Sequence, residues 1–164
     1  MMHCCDMLNQ KITVKSPSQS DLVFDQLYTY DSLNRITSAE ETTGTTVNYT
    51  YGLIAPKVGK LTKVSSSVST TEYTSFDILG RVTASKQTTD GVEYGGSESP
   101  AAMTYTYNLS GALIEQQYPS GRVVKNVLDA NGDLSIVESK KNANSGYWHY
   151  ADSPTYNAAG ALTS

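Results

Sequence analysis

Tyr73-Thr74-Ser75-Phe76-Asp77-Ile78-Leu79-Gly80-Arg81-Val82-Thr83 is the stretch whose reading decides the fold. Its second part is a phrase: a large residue, Asp or Asn, two variable residues, Gly or Asn, one free position, an aliphatic residue, then usually Ser or Thr. The phrase occurs earlier as Tyr30-Asp31-Ser32-Leu33-Asn34-Arg35-Ile36-Thr37. It returns as Tyr107-Asn108-Leu109-Ser110-Gly111-Ala112-Leu113-Ile114 and as Leu128-Asp129-Ala130-Asn131-Gly132-Asp133-Leu134-Ser135. Tyr156-Asn157-Ala158-Ala159-Gly160-Ala161-Leu162-Thr163 closes the chain. A further copy is stretched, with Tyr51 and Gly52 separated by an insertion from Gly59-Lys60-Leu61-Thr62. Six copies of one phrase mark a repeat architecture, and that sets the fold before any single element does.

The Gly or Asn of each copy falls at 34, 59, 80, 111, 132 and 160, giving steps of 25, 21, 31, 21 and 28 residues. A unit of 21 with longer variants is what a fixed strand–turn–strand module with loop insertions produces. The phrase itself is turn chemistry. Asp or Asn can accept a hydrogen bond from the backbone two residues on. Two right-handed residues follow, then one at positive φ, which Gly adopts without steric cost and Asn tolerates. Asp31 with Asn34, Gly59, Asp77 with Gly80, Asn108 with Gly111, Asp129 with Gly132, and Asn157 with Gly160 are therefore expected to build type I turns with a left-handed residue. The aliphatic residues Ile36, Leu61, Val82, Leu113, Leu134 and Leu162 are expected to return to the buried face of the sheet.

The segments before the turns alternate. Val47, Tyr49 and Tyr51 interleave with Thr46, Asn48 and Thr50, and Met103, Tyr105 and Tyr107 with Thr104 and Thr106. Period two with aromatic and β-branched residues predicts strands with one buried face. No window carries a helical stripe. Asp90-Gly91, Gly95-Gly96 and Ser120-Gly121 predict further turns, and Tyr118-Pro119 a strand end.

These residues resemble the RHS/YD-repeat family. The resemblance is carried by Tyr28-Thr29-Tyr30-Asp31 with Asn34-Arg35-Ile36-Thr37, by Tyr73 to Thr83, and by Tyr105-Thr106-Tyr107-Asn108 with Gly111. It covers residues 22–164, about six repeats, and leaves 1–21 as a non-repeat segment. It implies an all-β fold of tandem β-hairpin repeats in a curved antiparallel sheet, a segment of an RHS-type β-shell. The family includes bacterial polymorphic toxins, shell components of insecticidal toxin complexes, and teneurins. The implied function is structural: part of an encapsulating shell linked to toxin delivery or cell-surface interaction, with no activity of its own. The implied partners are the rest of such a shell or a C-terminal toxin domain, and the family setting is secreted or cell-surface. Ala112, Asp133 and Ala161 stand where earlier copies have Arg35, Lys60 and Arg81. The family's self-cleaving core carries Asp-Pro, which this sequence lacks, so the autoprotease and the toxin domain are not expected within it.

Composition narrows the classes. Leu, Ile, Val and Phe make up about 20% of the 164 residues, at the edge of what a packed domain needs, but 12 Tyr and a net charge of −4 argue against disorder. Twelve basic residues are scattered among sixteen acidic ones, so no nucleic-acid surface is expected. Met1 to Ser20 lacks the apolar run of a signal peptide, and no stretch approaches the roughly 18 apolar residues that would indicate membrane insertion.

Four clusters tempt a chemical reading. His3, Cys4, Cys5 and Asp6 are ligand types, but adjacent cysteines do not suit one tetrahedral ion. Asp129, Asn131, Asp133 and Ser135 imitate a calcium loop, yet Gly132 is at the fourth position and Leu134 at the sixth. His149, Asp152 and Ser153 hold the residue types of a hydrolase triad, which geometry and not adjacency defines. Neither cofactor nor metal is expected. Tyr147, Trp148 and Tyr150 are the candidate ligand contacts, for a cell-surface glycan or a protein, against the reading that alternate members fill the sheet's core. The alternative function is accordingly a carbohydrate- or protein-binding surface module, and exposed strand edges would allow self-association.

Overall fold

The computed structural model describes residues 11–14, 26–41, 44–96, 102–142, 144–157, 159–161 and 163. His3, Cys4, Cys5, Asp6 and Leu162 lie outside the described residues. Among those described there is no helix, and the chain is all-β and antiparallel. The strands are β1 (Lys11–Val14), β2 (Gln26–Tyr30), β3 (Ile36–Glu41), β4 (Thr46–Tyr51), β5 (Leu61–Ser65), β6 (Ser69–Phe76) and β7 (Val82–Thr89). They continue as β8 (Val92–Tyr94), β9 (Met103–Tyr107), β10 (Leu113–Gln117), β11 (Val123–Leu128), β12 (Leu134–Lys140) and β13 (Trp148–Asp152). Hydrogen bonding follows chain order, except that β8 pairs only with β7 and leaves β7 to pair with β9.

Two compact units share the ladder. The first comprises Met1–Tyr73, Ile78–Gly80 and Gln87–Val92, and the second Thr74–Asp77, Arg81–Lys86 and Glu93–Ser164. In the first unit, Tyr28, Ala39 and Val47 are successive cross-strand partners, as are Tyr49 and Val64. Thr29, Ser38, Asn48 and Ser65 form the parallel polar row, with Thr29 Oγ1 2.6 Å from Ser38 Oγ. Alternation along each strand thus separates an apolar face from a polar one. β1 pairs with β2, so the span 1–21, which lacks the repeat phrase, contributes a strand.

The register explains why the phrase names a large residue and an aliphatic one. Tyr30 faces Ile36, Tyr51 faces Leu61, Tyr107 faces Leu113 and Leu128 faces Leu134 across four of the turns. The ladder shifts by one residue right beside these pairs. That shift is the bulge a type I turn plus left-handed residue leaves behind. The two named residues are therefore one cross-strand contact, the unit that stabilises a hairpin.

Burial departs from the sequence-based expectation of a buried face. Among the described residues Val123, 4% exposed, is the one buried hydrophobic, and no side chain is fully enclosed. Ile36, Leu61, Val82, Leu113 and Leu134 are half-buried. Alternation puts apolar residues on one face, but only a second layer would bury that face, and no described residue supplies one.

Candidate functional site

The hydrogen-bonding chemistry that recurs among the described residues is at the phrase turns. Asp31 begins the first. Its Oδ1 accepts hydrogen bonds from the amides of Leu33 at 2.9 Å and Arg35 at 3.0 Å. Its Oδ2 accepts one from Arg35 Nε at 2.8 Å, and Arg35 Nη2 lies 2.7 Å away. The backbone closes the same loop, with Asp31 N–H donating to the Arg35 carbonyl and Asn34 N–H to the Asp31 carbonyl. The Arg35 side-chain hydrogen bond, followed by the Arg35 amide, holds the Asp31 carboxyl below its ordinary value.

The other copies repeat this arrangement with local changes. Asp77 Oδ1 accepts from the Arg81 amide at 2.9 Å and Oδ2 from Arg81 Nε at 2.6 Å. Asn108 Oδ1 accepts from Ala112 N–H, Asp129 Oδ1 from Asn131 and Asp133, and Asn157 Oδ1 from Ala159 and Ala161. Asn34, Gly59, Gly80, Gly111, Gly132 and Gly160 have φ of 58, 73, 76, 94, 91 and 77°. Of the calcium-like residues, Asp129 thus has its carboxylate engaged by the amides of Asn131 and Asp133. Among the described residues no cluster of three His, Cys, Asp or Glu could hold a metal ion.

The stretched copy keeps the frame and loops out the excess. Gly52 N–H donates to Lys60 C=O, and Gly59 N–H to Gly52 C=O, which are the two bonds that close the other turns. Gly52 stands where the phrase has Asp because a Cβ there would run into the Lys57 carbonyl. A further turn of the same form, unmarked by Asp or Asn, joins β10 to β11. Tyr118 N–H donates to Arg122 C=O, Gly121 N–H to Tyr118 C=O, and Gly121 has φ 81°. Ser120-Gly121, with the strand end at Tyr118-Pro119, signals it in the sequence.

Basic residues couple one repeat to the next. In the first unit the Arg35 guanidinium lies 4.2 Å from the Tyr51 ring centroid, and Tyr51 Oη donates to the Ile36 carbonyl at 3.0 Å. Lys60 crosses to the following turn, where its Nζ stands 2.5 Å from where a Cβ on Gly80 would be. In the second unit Arg81 sits 4.7 Å from the Tyr107 centroid and donates from Nη1 to the Asn108 carbonyl at 3.1 Å. Beyond it, Ala112, Asp133 and Ala161 stand at that phrase position and offer no cationic side chain.

The aromatic candidates separate. Tyr147 is half-buried between two lysines, 5.3 Å from Lys125 Nζ and 4.9 Å from Lys140 Nζ, and its Oη donates to Glu115 Oε2 at 3.3 Å. Lys125 is also 2.7 Å from Glu138, and that hydrogen bond raises the lysine above its ordinary value. Trp148 and Tyr150 are 74% and 63% exposed, so they do not fill the sheet's core. Arg122 Nη1 donates to Tyr150 Oη at 3.4 Å. His149, Asp152 and Ser153 are adjacent but in an order unlike a triad. Ser153 Oγ donates to Asp152 at 3.2 Å, while His149 Nδ1 is 3.5 Å from the same carboxylate. The hydroxyl is on the acid and not on the imidazole, so the contact that would activate a nucleophile is not formed.

No protein-family model matches the chain, and no curated protein matches it in sequence. Solved structures do match in fold. A chain of the TcdB2-TccC3-Cdc42 crystal structure aligns over 84% of this chain and 9% of its own length, with TM-score 0.58 and 14% identity. A chain of the Photorhabdus luminescens Tc holotoxin pore carrying a TccC3 mutation aligns over 84% and 9%, with 0.54 and 13%. The TcdB2-TccC3 crystal structure gives 95% and 9%, with 0.52 and 14%. At these identities the likeness is one of fold, and this chain spans about a tenth of the length of those it matches.

Proposed function

We propose that this chain is a structural segment of an RHS-repeat encapsulating shell of the kind used in toxin delivery, and that it has no catalytic activity of its own. The supporting observation is the repeat-to-repeat coupling of a ladder in which Val123 is the one buried hydrophobic among the described residues. Arg35 and Arg81 each tie one turn to the next, while the apolar face stays half-buried. Such a ladder gains stability from neighbouring repeats and not from an interior of its own. The fold likeness to toxin-complex chains points the same way. Its partners under this reading are further repeats of a shell and a toxin domain, in a secreted or cell-surface setting.

Light scattering on the purified chain, run beside a hydrolase, nuclease and protease panel, tests the reading. Association through strand edges without turnover is expected. A compact monomer with turnover that disappears in His149→Ala overturns it.

The exposure of Trp148 and Tyr150, with Arg122 against the Tyr150 hydroxyl, favours a second reading, a binding surface for carbohydrate or protein. Glycan-array binding that is lost in Trp148→Ala would establish it. Array signal equal to background excludes the carbohydrate form.

A further inference from the structure

The first three phrase turns each carry aliphatic residues, at a variable position or in the insertion, that are exposed to solvent. Leu33 is 70% exposed, Leu53 85%, Ile54 79%, Val58 62% and Ile78 99%. All belong to the first unit. Their turns are neighbours, since Arg35 reaches to Gly59 and Lys60 to Gly80. Alternate hairpins of an antiparallel ladder emerge at the same end of the strands, about 10 Å apart. The result is a row of isolated aliphatic tips along one edge. Turn centres are ordinarily polar, so aliphatic residues at three neighbouring turns are out of the ordinary.

We propose that this row docks on an anionic lipid surface, with the aliphatic tips entering the interface and Lys57 and Lys60 contacting the headgroups. Charge complementarity selects that occupant. Asp31 is neutralised by Arg35, while among the described residues Lys57 and Lys60 form no ion pair, so the described edge of this unit carries two positive charges without a described carboxylate partner. Shape points the same way. Three turns span only about 20 Å and present five scattered aliphatic tips, narrower than the roughly 20–30 residues a side of a standard protein interface. A second copy docking here would also set Lys57 and Lys60 against their own counterparts. A lipid interface requires neither wide area nor shape complementarity, only apolar side chains that reach it and cations beside them. The attachment is peripheral and nothing crosses the bilayer.

Flotation of the full chain with phosphatidylcholine vesicles containing phosphatidylglycerol, against phosphatidylcholine vesicles alone, tests the proposal. Binding to the anionic vesicles is expected, falling as salt is raised. Leu53→Ser with Ile54→Ser should weaken it about tenfold or more, since apolar burial drives interfacial binding. Lys57→Gln and Lys60→Gln should each weaken it about fivefold. Val92→Ser, an exposed aliphatic beyond the opposite end of β7, should change nothing. Circular dichroism of each variant confirms that the sheet is intact. Failure of the wild type to float overturns the proposal, and so does flotation indifferent to the tips. Self-association that the tip variants abolish in the absence of vesicles would assign the row to a second copy instead.

Discussion

Replacing Arg81 should uncouple two neighbouring repeats. The side chain makes an ion pair with Asp77 at 2.6 Å, a hydrogen bond to the Asn108 carbonyl at 3.1 Å and a cation–π contact with Tyr107 at 4.7 Å. Its side chain is 27% exposed and that of Asp77 20%, so solvent screens part of each interaction. An exposed ion pair contributes about 0.2–1 kcal/mol, a net hydrogen bond about 0.5–1.5, and a surface cation–π contact about 0.5–1. Allowing for water replacing some of these in the variant, Arg81→Met should cost about 1–2.5 kcal/mol, the Met stem preserving the packing of the methylenes. Arg81→Lys keeps the charge but loses the planar fork and should recover less than half of that. Unfolding in urea followed by far-ultraviolet dichroism gives the total, and hydrogen exchange of β9 and β10 gives its location. A double-mutant cycle of Arg81→Met with Tyr107→Leu should show a coupling of about 0.5–1 kcal/mol. Ala112, at the same phrase position one repeat later, offers the comparison, and Ala112→Ser should stay within about 0.5 kcal/mol. Coupling indistinguishable from zero, or protection of β9 and β10 unchanged by Arg81→Met, would refute the account of repeat-to-repeat ties.

Other outcomes follow from the turns and the charges. Gly52→Ala should destabilise the chain by about 1–3 kcal/mol, because the new Cβ meets the Lys57 carbonyl, and an unchanged denaturation midpoint would show that the insertion yields freely. Gly80→Val, at φ 76°, should cost about 1–3 kcal/mol of unfolding free energy, with a neutral result removing the left-handed turn from the explanation. Asp31 is held below its ordinary 3.8 by Arg35, so its contribution is complete above that pH and disappears as acid carries the solution through the lowered value. The acid limb of stability against pH should therefore flatten in Asp31→Asn. Lys125 is raised above 10.5 by Glu138, so its contribution is complete below that pH and is lost as alkali passes the raised value. Titration of Lys125 by NMR should move downward in Glu138→Gln.

The fold class was legible in the sequence because its determinants are local. A turn in which Asp31 accepts amides two and four residues ahead is written within five consecutive residues. Alternation at Val47, Tyr49 and Tyr51 needs no partner to be read as a strand. Spacing of the phrase also orders the strands, since short connections make consecutive antiparallel strands neighbours. Contacts between repeats were not legible. Arg81 meets Asn108 across 27 residues and Arg122 meets Tyr150 across 28. Insertions of varying length separate the copies, so no fixed offset in the sequence pairs such residues. The β10–β11 turn was legible as a turn from Ser120-Gly121 after Tyr118-Pro119, but not as a member of the phrase, because Tyr118 stands where most copies have Asp or Asn.

What the sequence determined by itself is the strand–turn–strand module: its all-β class, its antiparallel order and the chemistry of its turns, all fixed by interactions within a few residues. Tertiary structure alone decided how far each face is covered, and hence which side chains remain available. Alternation assigns a residue to a face, but exposure depends on whether another layer lies on that face. Among the described residues none does, so Ile36 and Leu134 stay half-buried, and Trp148, Ile78 and Leu53 stand in solvent.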